Sequence, residues 1–202
     1  MNILDLLFIA AAWMMVLQAQ AFIRRHQGRL LRTSRILVII ILFTLTFYFC
    51  RQHIANQQML FNCGMFLLWG VLFTVTDISN HWLPRRFTVS FTLCGAIMVT
   101  AFNGGEAFVK HFFVWLSLGS VFYLSGKLAV SCGLRPQGVG DTLLISGCGF
   151  WMGWQNLCLI TGIGFLLLFI HGLVTYKKVL PFAPYFYLAF SIFEVTGLLI
   201  MG

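Results

Sequence analysis

Acidic side chains are scarce in this chain: Asp5, Asp77, Glu106, Asp141 and Glu194 are the only five carboxylates in 202 residues. Charge of either sign is scarce too, at 9% of residues against about 25% in an ordinary soluble domain. Long hydrophilic stretches are also missing, which excludes a separate soluble domain. The remainder is 60% hydrophobic, the composition of an all-α, polytopic transmembrane helix bundle, read here as a single integral membrane domain over 1–202. At roughly 20 residues per crossing, this length accommodates six to eight spans. The six cysteines, at 50, 63, 94, 132, 148 and 158, contain no C-x-x-C pair, which argues against a zinc ribbon or redox motif, and no metal site is expected. Cys50 and Cys63 are a candidate disulfide, although free thiols are the favoured reading.

The apolar runs predict eight spans, at about 3–23, 34–51, 59–77, 87–103, 111–130, 142–153, 155–175 and 183–201. Arg24 and Arg25 follow the first run rather than precede it, so it reads as a retained span and not a secretory signal. Residues 142–175 admit one long span, two short ones or a kinked helix. In the eight-span arrangement Arg24, Arg25, Arg29, Arg32, Arg35, Arg85, Arg86, Lys127, Arg135, Lys177 and Lys178 share one side, while Arg51 and Lys110 lie on the other. The positive-inside rule makes the first side cytoplasmic and both termini external. A single span over 142–175 would move Lys177 and Lys178 outside, so the asymmetry favours two. The basic residues lack an interleaved aromatic platform, which argues against nucleic acid as a partner and for membrane lipid.

This topology singles out two acids. Asp77 ends the third span as it reaches the cytoplasm, and Asp141 opens the sixth as it leaves. Two carboxylates at one depth can share a proton, one acting as base on a water and the other as acid toward the carbonyl oxygen or leaving amine. Like charges held close keep one of them protonated near neutral pH. Gly138 and Gly140, just before Asp141, remove side chains where an extended substrate backbone would approach, and they permit positive φ at a turn. Taken alone, Gly138-Val-Gly-Asp141 is also an ordinary helix start with Asp141 as N-cap, and Asp77 alone is an ordinary interfacial acid.

Three stretches together resemble the type IV prepilin peptidases, membrane aspartyl proteases of the G-x-G-D class. Thr76-Asp77-Ile-Ser-Asn-His-Trp-Leu83-Pro84 is similar to the family's first catalytic aspartate and its Leu-Pro. Gly138-Val-Gly-Asp141, followed by Leu143-Leu144 and Gly149-Phe-Trp-Met-Gly-Trp154, is similar to the second. Val179-Leu-Pro181-Phe182-Ala-Pro184 resembles the Pro-Phe-Gly-Pro segment before the last span. The resemblance covers about residues 60–200, a catalytic core in which it implies Asp77 and Asp141 as the catalytic pair. It implies Gly138, Gly140, Pro84 and Pro181 as substrate-contacting positions.

The resemblance further implies a bacterial inner-membrane enzyme whose active site faces the cytoplasm and removes the short basic leader of type IV prepilins or pseudopilins. No cofactor is expected for the peptidase activity. S-adenosylmethionine enters only if the chain also methylates the new N-terminus, as many members do. This sequence departs from the family at Leu143, where many members have lysine, and at Ala183, where they have glycine. Its loop from His26 to Ser34 leaves no room for the cytoplasmic C-x-x-C insert of long members, so the chain reads as a short form. The rival readings are a bifunctional peptidase and methyltransferase, a non-enzymatic transporter or assembly factor, and a member that binds prepilins without cutting them.

Other residues have plainer expectations. His81 reads as a solvated interfacial histidine, with a proton relay or ligand role as the alternative. Glu194, inside the last span, reads as a hydrogen-bond partner for a neighbouring helix, with pairing to His171 or a place in the substrate groove as alternatives. Asp5 and Glu106 read as surface charges. Glycines 147, 149 and 153 read as close-packing positions, and the tryptophans as packing or interface anchors.

Overall fold

A computed structural model describes residues 2–133, 138–176 and 179–196. Arg135, Lys177, Lys178 and the end of the last predicted span lie outside the described residues. Within them all regular structure is helical: α1 (Ile3–Arg25), α2 (Thr33–His53), α3 (Gln57–Asn80), α4 (Arg85–Ser131), α5 (Val139–Gly147), α6 (Trp154–Thr175) and α7 (Ala183–Thr196), with a 3₁₀ turn over Cys148–Phe150. The chain is an all-α helical bundle. Five of these helices, α1, α2, α3, α4 and α6, are long and apolar enough to cross a membrane.

Three things separate these five from eight predicted spans: among the described residues α5 and α7 are shorter than a crossing, and two predicted spans meet in α4. Its 47 residues are broken at Gly104, whose φ of 81° and ψ of −179° are not helical, so the fourth and fifth predicted spans are the two arms of one element. Residues 142–175 form two elements, because α5 and the 3₁₀ turn end at Phe150 and α6 begins at Trp154.

The chain forms two compact units. The first contains α1, α2, α3, α7 and α6 from Ile160 onward. Asn2 starts α1 through a capping box with Asp5, and Asn56 caps α3 by accepting from the amides of Gln58 and Met59. The aromatic core stands on Gly70: a β-carbon there would lie 2.6 Å from both Phe43 and Tyr187, so glycine lets both rings approach α3. Tyr187 and Phe190 of α7 then pack on Phe66, with ring centroids 5.1 and 4.8 Å away.

Asp5 corrects the surface-charge expectation. It is 2% exposed, pairs with Arg51 at 3.3 Å and accepts the Asn2 amide at 2.8 Å, because the start of α1 and the end of α2 meet. Glu194 accepts from the Cys50 thiol of α2 at 3.7 Å, the expected bond to a neighbouring helix, whereas His171 bonds the Tyr185 hydroxyl. Cys50 and Cys63 are free, hydrogen-bonded thiols.

The second unit, residues 83–159, wraps the two arms of α4 around α5 and the 3₁₀ turn. A β-carbon on Gly147 would meet Thr92 of one arm at 2.5 Å, and one on Gly149 would meet the Trp115 backbone of the other at 2.9 Å. Those two glycines are close-packing positions, while Gly153 faces open space. Trp151 stacks on Phe91 at 5.1 Å and donates its indole N–H to the Phe91 carbonyl. His111 donates from Nδ1 to the Gly149 carbonyl at 2.7 Å, holding the turn to the second arm.

Candidate active site

Asp77 belongs to the first unit. Helix α3 continues past the predicted end at 77 to Asn80, so Asp77 sits in the last turn rather than at the terminus, and it is 4% exposed. Its Oδ2 accepts the Ala183 amide at 2.8 Å. Ala183 is the first residue of α7, where backbone amides have no helical carbonyl to bond and the helix dipole favours a carboxylate. The Pro181-Phe182 segment delivers this amide. Phe182 is buried against Phe165 of α6, with ring centroids 4.7 Å apart, and Pro181 is half-buried beside it. The backbone donor at Ala183 was invisible to a search for side-chain chemistry, although the Pro-Phe-Ala-Pro motif marked the segment.

A second tie holds the same end of α3. Asn80 accepts the Arg29 amide at 2.8 Å and donates to the Arg29 carbonyl at 3.1 Å, clamping the loop between α1 and α2. His81 follows in the left-handed conformation at φ 54° and is exposed.

Asp141 belongs to the second unit. It is the third residue of α5, and Gly138 occupies the N-cap, so the N-cap reading of Asp141 is corrected. The Gly138 amide bonds the Asp141 carboxylate, the reach-back half of a capping box. Asp141 precedes the apolar stretch from 142. Burial pushes its carboxyl up to about 6, against the opposing pull of the Gly138 amide.

The positive-φ expectation for the two glycines is corrected. Neither Gly138, at φ −61°, nor Gly140 has positive φ. At Gly140 a β-carbon would fall 2.6 Å from the Leu83 β-carbon and 2.7 Å from its carbonyl oxygen, so the missing side chain admits the Leu83-Pro84 segment. Pro84 is the N-cap of α4, with φ −63° and ψ 127°. The structure thus joins Asp77 to the segment after Pro181 in one unit. In the other it joins Leu83, Gly138, Gly140 and Asp141. Among the described residues no three His, Cys, Asp or Glu side chains are grouped to hold a metal ion.

A model of the type IV leader peptidase family matches residues 64–193, a segment that includes both aspartates and the Ala183 donor. The chain belongs to the type IV leader peptidase family. It is a multi-pass membrane protein. Among its relatives are prepilin leader peptidase/N-methyltransferases from Aeromonas hydrophila and Aeromonas salmonicida, each 29% identical over 62% of this chain and 46% of the relative. Another from Pectobacterium carotovorum is 30% identical over 50% of this chain and 40% of its own. The chain therefore spans less than half the length of the curated relatives it matches. No solved structure gives a significant match.

Proposed function

We propose that the chain is a membrane aspartyl endopeptidase that removes the basic leader of a type IV prepilin or pseudopilin, with Asp77 and Asp141 activating the hydrolytic water. The observation that carries this reading is the family match, which runs through both aspartates. The local geometry adds to it, since each carboxylate is oriented by one backbone amide, Ala183 for Asp77 and Gly138 for Asp141.

The roles follow from their surroundings. Asp141, with its carboxyl raised to about 6, is the proton carrier: it donates to the carbonyl oxygen as the water attacks and recovers that proton when the gem-diol collapses. Asp77 takes the proton of the attacking water and passes it to the leaving amine, which restores both carboxyl groups. A bound peptide would cover Asp141 further, and added desolvation raises a carboxyl still more, so the proton stays in place at neutral pH. Eleven basic residues against two orient this end of the bundle to the cytoplasm, where a leader peptide waits at the inner face of the bacterial inner membrane.

The test is co-expression of the chain with a tagged model prepilin, as wild type, Asp77→Asn and Asp141→Asn, followed by mass measurement of the pilin N-terminus. The wild type is expected to remove the leader and each variant to leave it intact at equal membrane levels. Cleavage retained in either variant overturns the assignment. An added methyl mass would show the second activity, the one included in the relatives' names.

A further inference from the structure

We propose that the first unit binds one anionic phospholipid in a groove between α2, α3 and α7, its phosphate held by Arg32 and Arg35 and one acyl chain lying along α2. The groove has a volume of about 440 Å³ and is walled by Val38, Leu42, Phe43 and Leu188. At one end it opens at Arg35 and Ile78, and these two residues also line a neighbouring cavity of about 440 Å³ that adds Arg29 and Arg32. None of the three arginines has a carboxylate partner among the described residues. The loop that carries Arg29 and Arg32 is held by the paired Asn80 bonds, so the cationic mouth is built into the fold.

Midway down the groove stands a polar group with nothing to bond. Thr74 is 4% exposed and lines the cavity, and its hydroxyl has no hydrogen-bond partner among the described residues. A buried hydroxyl left so is unfavourable, because it has given up its bonds to water and gained none. Two neighbouring hydroxyls of the lining are bonded within the protein: Thr46 donates to the Leu42 carbonyl and reaches Ser191, and Ser191 donates to the Tyr187 carbonyl.

The order from the mouth inward is guanidinium, then hydroxyl, then hydrocarbon. Thr74 lies one helical turn inside Ile78, and Arg35 to Thr46 along α2 spans about 16 Å at the helical rise of ~1.5 Å per residue. A phospholipid has the matching order of phosphate, glycerol ester and acyl chain. Charge selects it over the substrate, because a basic leader would meet three like charges at this mouth.

This inference rests on the membrane fold and not on the peptidase reading, so its test reads lipid and not cleavage. The full chain in nanodiscs of phosphatidylcholine containing phosphatidylglycerol would be examined by native mass spectrometry for retained lipid. The wild type is expected to keep one phosphatidylglycerol against excess phosphatidylcholine. The exposed double variant R32Q/R35Q is expected to lose that preference, and Leu188→Trp, which fills the groove, to lose the bound lipid. Thr74→Val should lower retention several-fold without lowering the melting temperature. Equal retention by R32Q/R35Q overturns the proposal. Displacement by millimolar inorganic phosphate reduces the site to an anion pocket, and one-for-one displacement by a prepilin stem peptide assigns the groove to substrate. Either result also overturns it.

Discussion

Asp77 and Asp141 each accept a backbone amide, from Ala183 and Gly138, and each sits in its own surroundings. Asp141 should titrate near 6, protonated below and ionised above. An infrared difference between wild type and Asp141→Asn would show a carboxylic acid band that disappears as pH rises through that value. A midpoint near the ordinary carboxylate value would remove Asp141 as proton carrier. Gly140 yields a second expectation. A methyl there meets Leu83 backbone at 2.7 Å, whereas one on Gly138 meets only the movable Asp141 carboxylate at 3.1 Å. Gly140→Ala should therefore destabilise by about 1–3 kcal/mol, the usual range for overpacking, and Gly138→Ala by less. Thermal unfolding in detergent distinguishes them, and equal effects would show that crowding by Leu83 is not the reason for glycine. At this scale the aspartates and glycines were legible as candidates, but their local contacts were not. Carboxylates and glycines stand out in an apolar chain, but a backbone donor such as Ala183 has no signature of its own.

Among the elements, α4 is the one whose form depends on a single residue. Gly104 sits in backbone space that is nearly closed to other residues, with nothing within 4 Å of its absent β-carbon. Gly104→Ala should destabilise by about 1–3 kcal/mol through backbone conformation alone. Gly105→Ala, in equally open space without positive φ, should be close to neutral. Unfolding midpoints in denaturant would decide, and a neutral Gly104→Ala would mean that the break is not set there. The spans were legible because hydropathy reports helices of membrane length directly. The extension of α3 to Asn80 was not, because its last turn is polar and is held by a bond to Arg29, 51 residues away. The polar segment between the arms of α4 marked where the element breaks, but it showed neither the helical continuity on both sides of Gly104 nor the packing of Gly147 and Gly149 against the arms. Those depend on tertiary neighbours.

For the whole molecule, the asymmetry of basic residues predicts that the start of α4 and the region just past its break face opposite compartments. Cysteines introduced at Arg86 and Lys110, in a chain whose accessible native cysteines are replaced, should react differently with a membrane-impermeant maleimide applied outside the cell. Position 110 is expected to label and position 86 only after permeabilisation; the reverse pattern would invert the topology and with it the proposed face of the site. The bond between Asp77 and Ala183 bears on a different matter, the order in which the protein is made. Its two partners are 106 residues apart, so a ribosome that has completed α3 still has α4, α5 and α6 to synthesise before the donor exists. Until α7 arrives, Asp77 is a carboxylate in a membrane helix without that amide. A chain cut short before Ala183 lacks the donor permanently, so the surroundings of Asp77 are not complete until α7 has been made.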